Sequence, residues 1–459
     1  MTGPDPSQLP ALVRELASAF EAEGGRLYLV GGWVRDALRD ATAKDLDIEI
    51  YGLANERIEA VLSPRGFTPP VGRQFPVWRH TRAGIDVSRP RLETGDGAAP
   101  AAEFTRSARG RDLRVNAMAF DPLTGEVLDP LDGREDLASG VLRACDPTTF
   151  GEDPLRVLRV ARLAAGLSME PDFELVGLCR RLDLDAVPIE RLAHELDRIL
   201  LELPAPWRAI EWIDRLGQLD VFPPVAALRG VPQDPGWHPE GDVFVHTGMV
   251  VDRAAKIARD EGVEGEARAI LLWSALCHDL GKPSTTSTGD DGRVRSYAHD
   301  EEGAAITRLW LRSLRLGERR TAAVASLVRH HLAPALYVRH GAKARGYRRL
   351  ARKLDEAGVT PVDLERVARA DHLGRTTSDA RADRFEEGTA FLAAAREAFV
   401  EQGPRKDVVR AATLMKQGVE AGPELGRLLA RARVLQDETG IEDEDEDVLV
   451  ARVLAERSP

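Results

Sequence analysis

The chain has 459 residues, 43% of them hydrophobic and 30% charged, and its formal net charge is −12 at pH 7. At about 150 residues per domain, this length predicts a globular protein of about three domains. The longest apolar stretch, residues 269–277, is less than half of the about 20 residues that a membrane span needs, and the first residues lack a signal-peptide pattern. Three widely spaced cysteines argue against a disulfide framework. We therefore expect a cytoplasmic protein without a membrane partner.

The first 145 residues alternate between helix and strand patterns. Helical spacing over residues 11–22 precedes a short apolar strand over 26–30, which stops at a glycine pair, and helical spacing resumes over 33–39. The next segment, residues 45–50, alternates acids with Leu and Ile, as expected for a half-buried strand with a carboxylate face. More strand-like pieces follow at 77–80, 85–87, 115–120 and 126–128. This order predicts a small α+β domain.

From residue 153 onward, strand patterns almost vanish and helical patterns dominate. The first of these cover residues 153–165, 172–182, 189–202 and 206–216. A link rich in Pro and Gly, residues 222–236, leads into a second helical block with most of the histidines, and the C-terminal part is rich in Ala, Arg and Glu. We predict four domains, with boundaries at residues 1–145, 146–230, 231–375 and 376–459.

A glycine pair and a carboxylate strand lie close together in the sequence. A strand that stops at Gly31-Gly32 and leads into a helix presents unsatisfied main-chain N–H groups, which a phosphate can approach closely because glycine has no side chain. Asp45 and Asp47 lie roughly 6.6 Å apart along one strand face, close enough to hold two divalent ions at the about 3.5–4 Å spacing used in nucleotidyl transfer. An isolated Asp-x-Asp is more often the solvated face of an ordinary strand, so the interpretation depends on further motifs.

Those further motifs occur in a fixed order along the chain. They are Gly-Gly-Trp-Val-Arg-Asp (31–36), Asp-Leu-Asp (45–47), Arg-Asp-Leu-Arg-Val-Asn-Ala (111–117), Asp-Pro-Leu-Asp-Gly-Arg-Glu-Asp (129–136), Glu-Asp-Pro-Leu-Arg (152–156) and Glu-Arg-Leu-Ala-His-Glu-Leu (190–196). With these motifs, residues 27–217 resemble the class II tRNA nucleotidyltransferases, or CCA-adding enzymes, and their bacterial poly(A) polymerase relatives in the polymerase-beta nucleotidyltransferase superfamily.

The resemblance implies roles for individual residues. Asp45 and Asp47 would be the catalytic pair and would bind two Mg²⁺ ions. The turn residues Gly31 and Gly32, together with Arg35, would help to hold the triphosphate of the nucleotide. The residues that position the incoming nucleotide would be Arg111, Asp112 and Asn116.

The helix predicted from residue 153 has its own physical logic. Asp153 suits the N-cap and Pro154 the first helical position, and arginines then recur every three residues near one helix face. A stripe of this kind can also be an ordinary solvent-facing surface. By resemblance, Asp153 and Arg156 form a protein template that hydrogen-bonds the Watson–Crick edge of CTP or ATP, with Arg159 and Arg162 nearer the phosphates. Side chains would then select the base without a nucleic-acid template.

One segment departs from the family pattern. Family members usually have two arginines before the motif aspartate and an acidic helix before them, whereas this chain has Ser-Ala-Arg-Gly-Arg-Asp at 107–112 after a Gly/Ala-rich segment at 92–106. That segment belongs to the region where a flexible loop helps to switch from C to A addition. The alternatives are therefore an enzyme that adds only CC or only A, a poly(A) polymerase, or a non-enzymatic RNA-binding protein with a vestigial transferase site.

A second group of candidate residues follows the Pro/Gly-rich link. His246 begins a helical pattern, and about thirty residues later an apolar helix offers His278 and Asp279 in its last turn, before a glycine C-cap at 281. Convergent imidazoles and carboxylates are the usual way to bind a divalent metal. We interpret five other histidines as ordinary core or surface residues, namely His80, His194, His238, His340 and His372.

Residues 242–373 resemble an HD-superfamily metal phosphohydrolase domain, which is known as a fusion in the CCA-adding family. The resemblance implies one metal held by His246, His278, Asp279 and Asp371, and a second held by His299 and His330. The metal, whose identity the sequence leaves open, would activate a water to attack a phosphate ester such as a 2′,3′-cyclic phosphate or a 2′-phosphate.

The prediction as a whole is an α+β chain. A small polymerase-beta-type nucleotidyltransferase head with a mixed sheet would be followed by an all-α neck and body, an HD domain and a helical tail. The expected activity is the addition of C, C and A to the 3′ end of tRNA from CTP and ATP, with phosphodiesterase activity in the HD domain. The basic run 339–353, with seven Lys and Arg and no acid, is a candidate tRNA backbone contact.

Overall fold

The computed structural model describes residues 4–41, 46–71, 76–90, 99–439 and 446–456. Its strands are β1 (Arg26–Val30), β2 (Leu46–Tyr51), β3 (Val77–His80), β4 (Ile85–Ser88), β5 (Ala119–Phe120), β6 (Val127–Leu128), β7 (Val141–Leu142), β8 (Glu170–Pro171), β9 (Thr286–Thr288) and β10 (Val294–Ser296).

The helices in the first half of the chain are α1 (Ala11–Ala22), α2 (Gly32–Leu38), α3 (Asn55–Leu62), α4 (Pro100–Arg109), α5 (Gly133–Ser139), α6 (Arg156–Leu167), α7 (Phe173–Arg181), α8 (Ile189–Glu202), α9 (Trp207–Arg215) and α10 (Pro223–Ala226). Short 3-10 helices lie at Pro6–Gln8, Ser63–Arg65, Arg114–Asn116, Phe150–Glu152, Leu184–Ala186 and Leu219–Val221.

The helices in the second half are α11 (Val243–Asp260), α12 (Gly265–Cys277), α13 (Lys282–Thr285), α14 (His299–Ser313), α15 (Glu318–His330), α16 (Ala333–Arg339), α17 (Ala344–Asp355), α18 (Pro361–Leu373), α19 (Ser378–Arg381), α20 (Glu386–Glu397), α21 (Ala411–Lys416), α22 (Pro423–Thr439) and α23 (Glu446–Ala455). Among the helices of the described residues, none combines the length and apolarity that crossing a bilayer requires.

The chain divides into two compact units. The first comprises residues 1–188 and 209–218, and the second comprises 189–208 and 219–459. The predicted domain 146–230 has residues in both units, and the four-domain division stays a prediction. Within the second unit, buried side chains between Val408 and Val453 form a hydrophobic core of their own. Most of them lie on α21, α22 and α23.

A mixed sheet organises the first unit. Within the described residues its strand order is β3-β4-β2-β1-β5-β6, with β2 and β4 parallel and the other neighbours antiparallel. The period-2 pattern of β2 has the expected effect, because Ile48 and Ile50 are buried while Asp47 is exposed. The buried side joins α1 and α3 in a core with Leu27 and Leu29. The sheet therefore presents Asp47 on the face opposite this core.

An aromatic cluster supports the carboxylate face of the sheet. Tyr28 on β1, Tyr51 on β2 and Phe104 on α4 contact one another, with ring centroids 5.4 to 6.1 Å apart. Phe104 belongs to α4, and its burial against the two tyrosine rings of the sheet holds that helix on the sheet. The segment that follows α4 is consequently brought to the same face as Asp47.

Most predicted elements agree with the structure, and the differences have local causes. The expected strand at 115–120 is wrong in its first half, which is the 3-10 helix Arg114–Asn116 before β5. The predicted N-cap is also wrong: α6 begins at Arg156 with Leu155 as its N-cap. Asp153 instead accepts the Leu155 amide at 3.3 Å, a turn that precedes the helix.

The glycine at 281 is not the C-cap that the sequence pattern predicts. Helix α12 ends at Cys277 with His278 as C-cap, and Gly281 has φ −82, outside the left-handed region. Its role is close packing, because a Cβ at this position would lie 2.2 Å from the His299 carbonyl oxygen. The absence of a side chain lets α14 approach the end of α12.

Gly133 provides the equivalent close contact in the first unit. A Cβ there would lie 2.5 Å from the Arg114 carbonyl oxygen and 3.0 Å from Met118 Cγ. We predict that Gly133→Ala lowers the free energy of unfolding by about 1–3 kcal/mol, because the main chain at 114 has to shift. Urea denaturation measures this loss. Gly422→Ala is the control, since nothing lies within 4 Å of a Cβ there; equal stability of the two variants would contradict the packing argument.

Candidate functional site

The turn between β1 and α2 stands beside Asp47. Gly31 has φ 72 and ψ −134, a conformation that residues with a Cβ rarely adopt. An ideal Cβ at this glycine would lie 4.0 Å from Asp47 Oδ2 and 3.7 Å from Arg111 Nη1. The glycine turn, a carboxylate and a guanidinium thus meet at one place. Asp45, the other acid of the predicted pair, lies outside the described residues.

Arg35 is held in place on the first turn of α2. Its Nη1 donates to Asn116 Oδ1 at 2.7 Å, and its Nε and Nη2 donate to the two Asp36 oxygens at 2.8 and 2.9 Å. Gly32 leaves room for it, because the Arg35 Nη2 lies 3.4 Å from where a Cβ of Gly32 would be. Two anchors orient the guanidinium beside the glycine turn.

Arg111 is fixed by a partner that sequence reasoning missed. Its Nη2 lies 2.8 Å from Glu49 Oε1, and its Nη1 donates to the Asn116 carbonyl at 3.2 Å. Tyr51 donates to Glu49 Oε2 at 2.6 Å. Burial, and then the Glu49 charge, raise the pKa of the Tyr51 phenol well above its ordinary value. The period-2 pattern of β2 was a signal for Glu49, since it lies on the same strand face as Asp47.

Asp112 is a buried carboxylate with a complete set of partners. Its Oδ1 accepts the Leu113 amide at 2.8 Å and Asn116 Nδ2 at 3.2 Å, and its Oδ2 accepts from Arg159 at 2.7 Å. Burial favours the neutral form, but the Arg159 charge and these hydrogen bonds outweigh burial and hold the pKa below its ordinary value. Asp112 therefore ties the start of α6 to the segment that carries Asn116.

The rest of the predicted template lies around the start of α6. Main-chain carbonyls of Thr149, Phe150 and Gly110 accept from the Arg156 guanidinium at 3.0, 3.4 and 2.6 Å. Arg156 thus connects α6 to the segment just before Arg111. Asp153 lies one turn before the helix, and Arg162 lies two turns from Arg156 on the same helix.

These contacts form one continuous network in the first unit. It runs from Asp47 and Gly31 through Arg111, Asn116 and Asp112 to α6. An exposed carboxylate beside a glycine turn and two anchored guanidiniums can hold a cation together with the phosphates of a nucleotide. The network brings residues that are far apart in sequence to one place in the first unit.

The second unit contains a cluster of four buried or nearly buried imidazoles. In three of them Nδ1 lies 2.7 to 2.8 Å from the main-chain oxygen three residues earlier, a pairing made by His278 with Ala275, His299 with Ser296 and His331 with Val328. Because a carbonyl only accepts, each of these Nδ1 atoms is the donor. In the neutral form of each imidazole, Nε2 then carries the lone pair and can act as a ligand.

The first group of potential ligands combines three elements. His246 on α11, His278 after α12 and Asp371 on α18 place ligand atoms within 4.8 Å of one another. His246 Nε2 lies 3.1 Å from Asp371 Oδ1. His278 Nε2 lies 3.1 Å from Asp279 Oδ2. All four side chains were predicted, and the structure brings them together.

The second group contains His331 and not the predicted His330. Asp279, His299 and His331 place ligand atoms within 4.8 Å of one another, with the two Nε2 atoms 3.3 Å apart. His330 is the last residue of α15, and neighbouring positions on a helix point in directions about 100° apart. A helical stripe of Val324, Leu327 and Val328 was the available signal, because its next member is 331.

Asp279 connects the two groups. Its Oδ2 faces His278, while its Oδ1 lies 3.5 Å from His299 Nε2. His278 Nε2 and Asp279 Oδ2 are buried without an aligned hydrogen-bond partner in the described structure. The Nε2 atoms of His299 and His331 lie 3.3 Å apart, where either a proton or a metal ion can lie between the two nitrogens. This donor set fits divalent metal binding.

Two cations border the cluster that sequence reasoning did not assign. Lys282 Nζ lies 2.6 Å from Asp279 Oδ2, and Arg375 Nη2 lies 3.3 Å from Asp371 Oδ1. Burial alone would raise the pKa of each carboxyl. The charge of His278 and then of Lys282 lowers the pKa of Asp279 well below its ordinary value, and that of Arg375 does the same for Asp371. Both acids are therefore ionised and suitable as ligands.

The remaining predicted residues have varied surroundings. His372 stacks on Phe385 with ring centroids 4.6 Å apart, in agreement with a core role. His238 lies beside the candidate metal cluster, with Nδ1 2.9 Å from Glu240 Oε1. In the basic run 339–353, several side chains pair within the second unit, as Arg339 does with Glu387 and Arg352 with Asp437. The run as a tRNA contact stays a prediction.

Comparisons with known families assign a class to each of these regions. Residues 27–143 match the poly(A) polymerase head domain, and residues 243–374 match the HD domain. The sheet with its glycine turn and the histidine cluster fall within these two matches. The protein is thus a nucleotidyltransferase with an HD domain.

Curated relatives narrow this class. The multifunctional CCA protein of Xanthomonas campestris pv. campestris (strain B100) is 32% identical over 443 residues, which cover 89% of this chain and 97% of the relative. That of Neisseria gonorrhoeae (strain NCCP11945) is 38% identical over 315 residues, which cover 66% and 72%. The chain belongs to the multifunctional CCA protein family, and the predicted resemblance is confirmed.

Solved structures show the same fold. A CCA-adding enzyme with CTP has a TM-score of 0.60 at 19% identity, and the match covers 97% of this chain and 94% of that one. The Thermotoga maritima CCA-adding enzyme complexed with tRNA_CCA has a TM-score of 0.58 at 17% identity and covers 99% of both chains. The predicted fold class is confirmed.

The pairing of Asp112 with Arg159 makes a testable contribution to stability. In Arg159→Met, Asp112 would keep its burial but lose its counter-charge, so we predict a loss of about 1–3 kcal/mol in the free energy of unfolding at pH 7. The lowered pKa of Asp112 means that the wild-type contribution is present above the unfolded value of about 3.9 and is lost below it. The difference between the proteins should therefore shrink on acidification.

Urea denaturation at several pH values measures this effect. Arg79→Met is the matched control, because Arg79 pairs with Asp86 on the surface, where ion pairs contribute little. A loss in Arg159→Met that is as small as in Arg79→Met, or independent of pH, would refute the role given to Arg159.

Proposed function

We propose that this protein adds C, C and A to the 3′ end of tRNA from CTP and ATP, and that its HD domain hydrolyses phosphate esters. The observation that carries the first part is Asp47 beside the Gly31 turn and Arg111, in a chain of the multifunctional CCA protein family. Structurally similar CCA-adding enzymes have been solved with CTP, ATP and tRNA, which supports these partners.

In the proposed transfer reaction, the tRNA 3′-OH attacks the α-phosphate of the nucleotide and pyrophosphate leaves. Asp45 and Asp47 would hold two Mg²⁺ ions, which when bound lower the pKa of the attacking hydroxyl and neutralise charge on the leaving group. The N–H groups of the turn at Gly31 and Gly32 would donate to the triphosphate. Arg35 would add a guanidinium that Asn116 and Asp36 already orient.

Base selection is assigned to the start of α6. Three main-chain carbonyls fix the Arg156 guanidinium, so it can present the same donors to each incoming base. Asp153, one turn before the helix, would supply the acceptors. Arg111, Asp112, Asn116 and Arg159 would keep the two halves of the site together, and Arg162 would lie nearer the phosphates.

In the HD domain, we propose two divalent ions that share Asp279. His246, His278 and Asp371 would hold the first, and His299 and His331 the second. When bound, such ions activate water for attack on a phosphate such as a 2′,3′-cyclic phosphate or a 2′-phosphate. Lys282 and Arg375 would then be available to the phosphate oxygens, because the ions would neutralise the carboxylates that the two side chains now contact.

The other possibilities differ in their product. An enzyme that adds only CC or only A, and a poly(A) polymerase, would share the same head and differ in the length and sequence of the tail they add.

A cytoplasmic location is proposed as well, consistent with Cys145, Cys179 and Cys277 being free and buried.

We predict that Asp45→Ala combined with Asp47→Ala abolishes nucleotide incorporation, because the cations lose both carboxylates. The assay incubates tRNA lacking its 3′ end with CTP and ATP, singly and together, and sequences the ends. Wild type should yield CC with CTP alone and CCA with both. Glu126→Gln, an exposed acid of the same unit, is the control. Unchanged incorporation in the double variant would disprove the assignment.

The adjacent histidines at 330 and 331 provide a matched pair for the HD domain. We predict that His331→Ala removes one of the two bound metal ions and lowers the hydrolysis of 2′,3′-cyclic AMP at least tenfold, whereas His330→Ala keeps both ions and changes hydrolysis less than twofold. Metal analysis of dialysed protein and phosphate release measure both. The reverse order of effects would assign the second metal site to His330. Wild-type protein without bound metal would show that the HD domain is a scaffold without catalytic activity.

A further inference from the structure

The imidazoles of the HD cluster differ in what faces their second nitrogen. His278, His299 and His331 each direct Nδ1 to a main-chain carbonyl. The Nδ1 of His246 has a carboxylate beside it instead, with Glu240 Oε1 2.8 Å away. The candidate metal cluster thus contains one histidine whose second nitrogen lies next to a charged side chain.

The side chain of Glu240 is buried, and several hydrogen-bond donors surround it. Its side chain is 1% exposed, and its Oε1 also lies 2.9 Å from His238 Nδ1. Its Oε2 accepts the Thr376 amide at 3.1 Å. Thr376 follows Asp371 by five residues. The Glu240 carboxylate therefore contacts His246 and also the segment that follows Asp371.

The chemistry of a neutral imidazole ligand explains why an acceptor is needed here. A histidine that gives the Nε2 lone pair to a cation carries its proton on Nδ1, and a buried N–H requires an acceptor. In the described structure, His246 Nδ1 has no aligned hydrogen bond, and the Glu240 oxygen lies off the N–H direction.

We propose that Glu240 is a positioning residue of the metal centre. It would hold His246 in the tautomer and orientation that present Nε2 to the first ion, raise the basicity of that nitrogen, and link α11 to the segment after α18. This inference rests on the proposed metal binding of the HD domain. His238 would assist by holding Glu240 from the opposite side.

Direct ligation by Glu240 is the competing explanation. His238, Glu240 and His246 also place ligand atoms within 4.8 Å of one another. However, a cation on His246 Nδ1 would require the same imidazole to bind metal through both nitrogens, which removes both of its protons. A hydrogen-bonded Nδ1 avoids this cost, and His238 already has Glu240 as its partner.

The test titrates Co²⁺ into full-length protein by calorimetry and visible absorption. All proteins carry Asp45→Ala and Asp47→Ala, so that the head contributes no carboxylate pair. The test variants are Glu240→Gln and Glu240→Ala. Glu365→Gln is the control, because Glu365 on α18 is similarly buried but pairs with Arg369 and not with a histidine. Thermal unfolding in EDTA reports the stability of each metal-free protein.

We expect Glu240→Gln to weaken Co²⁺ binding about 10- to 100-fold without changing the number of ions, and Glu240→Ala to weaken it further. Glu365→Gln should bind within twofold of the parent protein, and metal-free Glu240→Gln should melt within a few degrees of it. Wild-type affinity in Glu240→Gln would overturn the inference, as would an affinity loss matched by Glu365→Gln. Loss of one whole ion would instead make Glu240 a ligand. If the parent protein binds no Co²⁺, the metal centre itself is refuted.

Discussion

A charge that is removed from water has to meet an opposite charge or several hydrogen bonds, and both sites of this protein are built around that requirement. In the first unit, Asp112 is buried and stays ionised because Arg159, Asn116 and a main-chain amide surround it. The same hydrogen bonds draw α6 and the segment 111–116 together. The arrangement of α6 and the segment 111–116 is therefore a consequence of satisfying a buried carboxylate.

The second unit meets the same requirement with a different set of groups. Its buried acids, Asp279 and Asp371, lie among imidazoles, with Lys282 and Arg375 as the adjacent cations. Buried nitrogen and oxygen atoms of His278 and Asp279 nevertheless lack aligned partners. A protein interior tolerates such atoms where a ligand completes their coordination. In the first unit, protein groups pair with the buried carboxylate of Asp112. In the HD cluster, nitrogen and oxygen atoms of His278 and Asp279 remain as potential ligands for an ion.

Local patterns predicted much of the fold. The helices at 11–22 and 189–202 and the strand at 26–30 have the predicted bounds, because apolar spacing at period 3.6 or 2 reports burial directly. The prediction failed where a contact distant in sequence decides the conformation. Gly281 looks like a helix cap, but its missing side chain serves the approach of His299. The segment around Arg114 is similarly shaped by the packing of Gly133.

The sequence by itself determined the two chemistries, since ordered motifs carry the carboxylates, arginines and histidines with their spacing. Only the tertiary structure decided which of these side chains meet. His331 reaches the cluster in place of His330 because helix phase turns adjacent residues in different directions. Glu49 and Glu240 acquire importance only through Arg111 and His246, which lie 62 and 6 residues away in sequence. Contacts of this kind arise from folding: the period-2 pattern of β2 places Glu49 on the face of Asp47, but it does not reveal which side chain Glu49 meets.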